Sequence, residues 1–255
     1  MAAYEHQLDR AIRIAAPPET VFRFFTDSAR WAKWWGVGST IDARVGGTVL
    51  IRYPGGVEAS GEVLEMAPPS RIVFTYGYAS GKPIPPGSSE VVIELRSCGE
   101  GTLLTLAHRF SDPLVRDQHV QGWRYQLSVF ANVIADELFA GAEAAADAWF
   151  DAWAETDDAR RLAAFSALAA SGIVFRDRYS CLEGADEIAV HAGAAQRFMP
   201  GIRLRRAGPV LQCQGSALVD WAATAPDGAE KMRGTNVFVL GADGRIVAVT
   251  GFARA

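Results

Sequence analysis

Among the side chains able to do chemistry, Asp177 stands in the most telling company. Ile173, Phe175, Asp177 and Tyr179 alternate along an extended stretch, so they share one face and place a carboxylate in an apolar row. Burial there would favour the uncharged acid, the property of a proton-transfer base. His191 falls at helical spacing with Ile188, Ala195 and Phe198 and is expected to face the interior. It reads either as a hydrogen-bonded core histidine or as an acid–base partner of Asp177 across a pocket. His108 is the titratable group in the row Leu104, Leu106, His108, Phe110. It is a hydrogen-bonded core histidine or a polar anchor for a ligand at a cavity mouth. Tyr76 shares a face with Ile72, Phe74 and Tyr78, as core or as a hydroxyl that orients a ligand. The tryptophans at 31, 34 and 35 read as packing, and Arg203, Arg205 and Arg206 as a solvated strand face. Arg233 and Asp220 are a candidate cross-strand pair.

Other chemistries lack their patterns. There is no Ser-His-Asp order, no HExxH, no cluster of metal ligands and no glycine loop between a strand and a helix. No metal and no cofactor are therefore expected.

These residues need elements to hold them. The central one is a helix over 112–138, with Asp112 as cap and Pro113 at the first helical position. Val120, Trp123, Leu127, Phe130, Ile134 and Leu138 recur at three- and four-residue steps, an apolar stripe that must lie on a sheet. Gly122 inside it costs roughly 1 kcal/mol of helix propensity, which suggests close packing against something flat. Before it the pattern gives a strand at 8–14 and helices at 20–26 and 29–35. Strands follow at 48–53, 57–66, 71–79, 88–97 and 103–110. The proline-rich stretch 81–87 reads as a connection at a sheet edge. After Gly141 come helices at 142–155 and 159–170, a strand at 172–179 and a helix at 186–198. Strands at 202–206, 210–214, 217–225, 231–240 and 245–253 complete the chain, with Asp227-Gly228 and Asp243-Gly244 as hairpin turns. The class is α+β, in two domains, 1–139 and 140–255.

Composition narrows the partners. The chain has 255 residues, 49% hydrophobic and 21% charged, with a net charge of −4. That charge argues against nucleic acid or an anionic membrane as partner. No apolar run approaches the ~20 residues of a transmembrane helix, and no secretory signal is visible. Three widely spaced cysteines (98, 181, 213) fit a reducing cytoplasm better than a disulfide framework.

Several separated motifs carry a resemblance. Residues 16–22 (APPETVF), Trp34-Trp35-Gly36, Gly46-Gly47, residues 68–74 (PPSRIVF) and Gly122-Trp123 resemble the AHSA-type domain, named for the activator of the heat-shock-protein ATPase. It is a branch of the START-like helix-grip superfamily, and the resemblance spans roughly 5–138. It implies a curved antiparallel sheet around a long terminal helix, with a cavity between them that often receives apolar ligands; Trp123, Tyr76 and His108 are its candidate contacts. The name also implies a chaperone partner, by association alone.

The second half resembles the nuclear-transport-factor-2-like cone fold, in its SnoaL-like and ketosteroid-isomerase-like members. The residues are 148–157, Val174-Phe175-Arg176-Asp177, 184–188, Trp221 and Asp243-Gly244-Arg245-Ile246-Val247. By this resemblance Asp177 falls where ketosteroid isomerases carry their general base. Those enzymes complement it with a tyrosine and a protonated aspartate. Here Trp149 stands in the tyrosine's place and Asn236 in that of the second acid, both able to donate a hydrogen bond. Tyr179 and Trp221 complete the expected ligand contacts. The expectation is a cytoplasmic binding protein for a small apolar or polyketide-like molecule, with metal-independent acid–base chemistry of isomerase or cyclase type in the second domain. Its rivals are a chaperone-ATPase activator and a second domain that serves only to form a homodimer.

Overall fold

The computed structural model describes residues 4–254. The chain divides between Ile134 and Ala135 into two compact units, each α+β.

The first unit is a seven-stranded antiparallel sheet. Its strands are β1 (His6–Ile14), β2 (Thr40–Ile41), β3 (Thr48–Arg52), β4 (Glu58–Ala67), β5 (Arg71–Tyr78), β6 (Ser89–Cys98) and β7 (Gly101–Phe110). Their spatial order is β1-β7-β6-β5-β4-β3-β2, so the first strand closes against the last. The alternation seen in the sequence is the pleat itself. Along β7, Leu104, Leu106, His108 and Phe110 point inward while their neighbours are half-exposed.

Two short helices, α1 (Pro18–Phe22) and α2 (Ser28–Trp35), and the long α3 (Pro113–Leu138) cover the inner face. Asp27 caps α2 by accepting from the N–H groups of Ala29 and Arg30. Asp112 accepts from Leu114 N at 2.7 Å and caps α3 in the same way. Phe24, Phe25, Trp31, Phe74 and Phe130 are fully buried, and Phe25 meets Phe130 with ring centroids 5.1 Å apart. Burying side chains of this size contributes about 1.5–3 kcal/mol each.

The buried stripe of α3 differs from the expected one at its start. It runs Val115, His119, Trp123, Leu127, Phe130, Ile134, and Val120 is only half-buried. Gly122 departs further from expectation, because a Cβ built there meets nothing within 4 Å. It faces open space, not a packed surface. The 81–87 connection is not at a sheet edge: it joins the interior strands β5 and β6, with Ile84 buried and its carbonyl accepting from Tyr78 N.

The second unit opens with α4 (Ala142–Ala154) and α5 (Asp158–Leu168), followed by β8 (Ala169–Arg176), β9 (Cys181–Glu183) and α6 (Gly184–Phe198). Then come β10 (Arg203–Arg206), β11 (Leu211–Cys213), β12 (Ser216–Thr224), β13 (Glu230–Leu240) and β14 (Ile246–Arg254). The sheet order is β10-β12-β13-β14-β8-β9, with β11 also paired to β12; β14 and β8 run parallel and the other pairs antiparallel. Asp227 and Asp243 each accept a backbone N–H two residues on, which shapes the two hairpin turns.

Three further expectations are corrected here. The strand expected at 172–179 ends at Arg176, because Asp177 turns the chain. Arg206 is not a solvated residue: it bonds Asp147 through two nitrogens and pairs with Glu143, tying β10 to α4. Arg233 pairs with Glu230, while Asp220 takes Arg254 and Thr235. Among the described residues no helix is long and apolar enough to cross a membrane.

Candidate functional site

Each unit holds a cavity whose lining gathers residues from separate elements. In the first unit a cavity of about 520 Å³ lies between α2, β5 and α3. Trp34 and Trp35 come from the end of α2, Tyr76 and Tyr78 from β5, and His119 and Trp123 from α3. Tyr53 and Tyr76 join hydroxyls at 2.8 Å, and burial raises the pKa of both phenols above the ordinary tyrosine range.

His108 does not reach this space. It is completely buried behind it, with Nδ1 accepting from the Trp123 indole at 2.8 Å and Nε2 bonded to Ser89 Oγ at 2.8 Å. Ser89 Oγ in turn donates to the Tyr76 carbonyl at 2.9 Å. Burial, and then the nearby His119, hold His108 well below the usual histidine pKa. Of its two sequence readings, the structure gives the satisfied core histidine.

In the second unit a cavity of about 460 Å³ is bounded by α4, α6 and the concave side of the sheet. It collects Trp149, Asp177, Tyr179, His191, Trp221 and Asn236, every residue that the sequence suggested for this half. Trp149 forms the floor: it is fully buried among Phe165, Phe175 and Phe238. Trp221 donates its indole N–H to Asn236 Oδ1 at 2.9 Å. An indole only donates, so the amide orientation is fixed and Asn236 keeps its NH₂ as a donor. His191 stands edge-on to Trp153, with centroids 5.9 Å apart.

Asp177 lies beside Asn236, but in a setting other than the expected one. It is half-buried in a turn, and its Oδ1 accepts from Tyr179 N, Ser180 N and Ser180 Oγ at 2.6–2.8 Å. Oδ2 is left for anything in the cavity. The desolvated acid in an apolar strand is replaced by a rim carboxylate whose position is set by its own turn. Tyr179, expected on the same inward face, is 78% exposed and touches the cavity only at its mouth.

The meeting of Asp177 and Asn236 depends on a glycine between them. Asn236 on β13 pairs with Gly251 on β14, and β14 pairs in turn with β8 just before Asp177. A Cβ on Gly251 would stand 3.2 Å from Asn236 Oδ1 and 3.4 Å from Asp177 Cβ. With hydrogen there, the two side chains approach across a single backbone position.

The sequence reading missed His119, Trp34, Trp35, Tyr53 and Trp153 as cavity residues. For His119 a signal was present: positions 115, 119 and 123 follow one helical face. Among the described residues, no group of three or more His, Cys, Asp or Glu side chains is placed to hold a metal ion.

Comparison with known proteins agrees with this division. Residues 15–135 match the family model described as activator of Hsp90 ATPase homolog 1-like protein, and residues 146–249 match that of the SnoaL-like domain. No curated protein matches the chain. Among solved structures, an AHSA1-like protein from Rhizobium etli is 32% identical over 51% of this chain and 82% of its own, with a TM-score of 0.42. A SnoaL-like family member from Agrobacterium tumefaciens is 30% identical over 44% of this chain and 96% of its own, with a TM-score of 0.43. The Aha1 dimer from Colwellia psychrerythraea is 19% identical over 48% of this chain and 90% of its own, with a TM-score of 0.41. The chain thus belongs to the AHSA1-like family through its first unit and to the SnoaL-like family through its second.

Proposed function

We propose that this protein binds small apolar or polyketide-like molecules, and that its SnoaL-like cavity performs metal-independent acid–base chemistry on them. The observation that carries the reading is the convergence of Asp177, Asn236 and His191 on an aromatic cavity of about 460 Å³, a volume within the usual range for small-molecule sites. The walls supply burial for a largely apolar body, and the three polar side chains supply orientation.

In this reading Asp177 Oδ2 takes a proton from a carbon or hydroxyl beside a substrate carbonyl. The Asn236 NH₂ donates to the oxygen as negative charge develops there. His191, on the helix wall, returns a proton to a second position. The turn that holds Asp177 removes the rotational freedom a flexible carboxylate would have to lose.

The test has two steps. Native mass spectrometry of protein purified under mild conditions, with thermal shift against a library of polycyclic ketones, identifies a ligand that raises the unfolding midpoint. Asp177→Asn then separates binding from chemistry, because the amide oxygen can accept the same turn hydrogen bonds but is a far weaker base. Unchanged turnover in that variant excludes Asp177 as the base. No ligand and no shift in either cavity would end the binding reading.

A further inference from the structure

The second cavity is lined by two basic side chains that the chain itself does not use. Arg178 and Lys231 are its lysine and arginine residues, and both are exposed, so they stand at its mouth. Among the described residues neither side chain forms an ion pair or a hydrogen bond. The Arg178 guanidinium lies over the Tyr179 ring, 5.8 Å from its centroid. Asp177, although next to Arg178 in sequence, spends Oδ1 on its own turn and pairs with neither cation.

Lys231 reaches the cavity against the alternation of its strand. Met232 and Asn236 on β13 line the space, so period two assigns Lys231 to the opposite face with Arg233 and Thr235. There Arg233 pairs with Glu230, and Thr235 with Asp220. Lys231 joins neither pair. What turns it is a β-bulge: Ala223 pairs with Met232 and Thr224 with Glu230, so one step on β12 spans two on β13, and Lys231 is the extra residue. A bulge frees its extra residue from the ladder and re-aims the side chain, a device common beside functional sites.

Topology brings the second cation to the same opening. β14 runs antiparallel to β13 and parallel to β8, so the start of β13 and the chain leaving β8 lie at one end of the sheet. The opening also carries Phe198, 87% exposed, and the partly exposed Met199. In a chain of net charge −4, two unpaired cations on an apolar rim favour an anion there.

We propose that Arg178 and Lys231 form an anion subsite at the mouth of the second cavity, and that its ligand is an elongated apolar molecule ending in an anionic oxygen group, a carboxylate or a phosphate ester. Along β13 Lys231 stands roughly 15 Å from Asn236 at strand spacing, so the anionic end and a carbonyl held by Asn236 are at opposite ends of the ligand. The inference rests on the binding reading above and adds a charge to its ligand class.

The experiment uses four fluorescent probes on the full chain: pyrenebutyric acid, its methyl ester, pyrenebutylamine, and the phosphate monoester of pyrenebutanol. The acid or the phosphate should bind about tenfold tighter than the ester, and the amine weakest, with the anion's advantage shrinking at high salt. Whichever anion binds tighter names the group. Lys231→Gln and Arg178→Gln should each cut the ratio of anion to ester affinity about threefold. Lys231→Glu in the Arg178→Gln background should invert the order of acid and amine, which lost packing alone would not do. Both positions are exposed, so these variants keep the fold. Equal affinity for the ester and both anions in the unaltered protein overturns the inference and leaves the binding reading standing. An anion preference that survives the double substitution overturns it too, since the charge then sits elsewhere. If none of the probes binds, the ligand class is refuted, and the library screen above decides the broader reading separately.

Discussion

The indole N–H of Trp123 donates to Nδ1 of His108 at 2.8 Å, and that bond fixes where the protons on the imidazole sit. Because Nδ1 accepts, Nε2 must carry the hydrogen and donate it to Ser89 Oγ, which passes its own to the Tyr76 carbonyl. One donor-only group at the head of the chain sets the direction of every bond after it. Ser89 and His108 are wholly inaccessible to solvent, so a broken link cannot be repaired by water. Ser89→Ala should lower the free energy of unfolding by about 1–3 kcal/mol, measured in urea, with no change in the m-value. A loss below a few tenths would show that the relay is not formed.

Acid should weaken the fold above the range where carboxylates titrate. Burial lowers the pKa of His108 and His119 in the folded chain below the ordinary histidine value of about 6.5. A depressed histidine favours the neutral form in the native state, so the unfolded chain takes up protons first as pH falls. Stability is then complete above about 6.5 and declines below it, by up to about 1.4 kcal/mol per pH unit for each histidine. Urea midpoints between pH 7.5 and 5 check this. His108→Gln, neutral throughout, should flatten the profile relative to the parent.

Gly122→Ala should stabilise the chain. The position is exposed inside α3, and an added Cβ meets nothing within 4 Å. Helix propensity alone then contributes about 1 kcal/mol. A thermal midpoint that fails to rise would mean that the residue is held by something other than its helix.

Gly251→Ala should act on the second cavity without unfolding its unit. The new methyl would press on Asn236 Oδ1 at 3.2 Å, tight enough to move the amide by a few tenths of an ångström. Misplacement on that scale should weaken ligand binding or turnover about tenfold, with a stability loss of about 1 kcal/mol. Equal activity in the variant would detach Asn236 from the proposed chemistry.

Much of this was legible in the sequence. Period-two alternation placed Leu104, Leu106, His108 and Phe110 on one face, and Asp112 announced α3. The residues gathered in the second cavity, Trp149, Asp177, His191, Trp221 and Asn236, could be named before any coordinates. What could not be read was local geometry. Asp177 looks like a strand residue by spacing, but its carboxylate captures the N–H groups of the next residues and ends β8 instead. Periodicity also says nothing about whether a residue meets a neighbour or open space: Trp34 and Trp35 read as packing and do pack, while also bordering the first cavity, whereas Gly122 reads as a close contact and faces open space. From sequence the stripe on α3 reads slightly rotated, because Val120 is as apolar as a core residue and His119 is not, although His119 is the more buried.

The order of strands in the second sheet bears on how the protein is made. β14 inserts between β13 and β8, and β8 is synthesised some seventy residues earlier. Until residue 246 and those after it leave the ribosome, β8 has no partner on that side and Asp177 has no Gly251 beside it. A nascent chain would hold an open sheet edge while the roughly seventy residues between β8 and β14 are made, an opportunity for aggregation and for chaperone capture. The corner where Asp177 meets Gly251 is thus among the last features to exist, and a premature stop between β8 and β14 should leave the second unit misfolded.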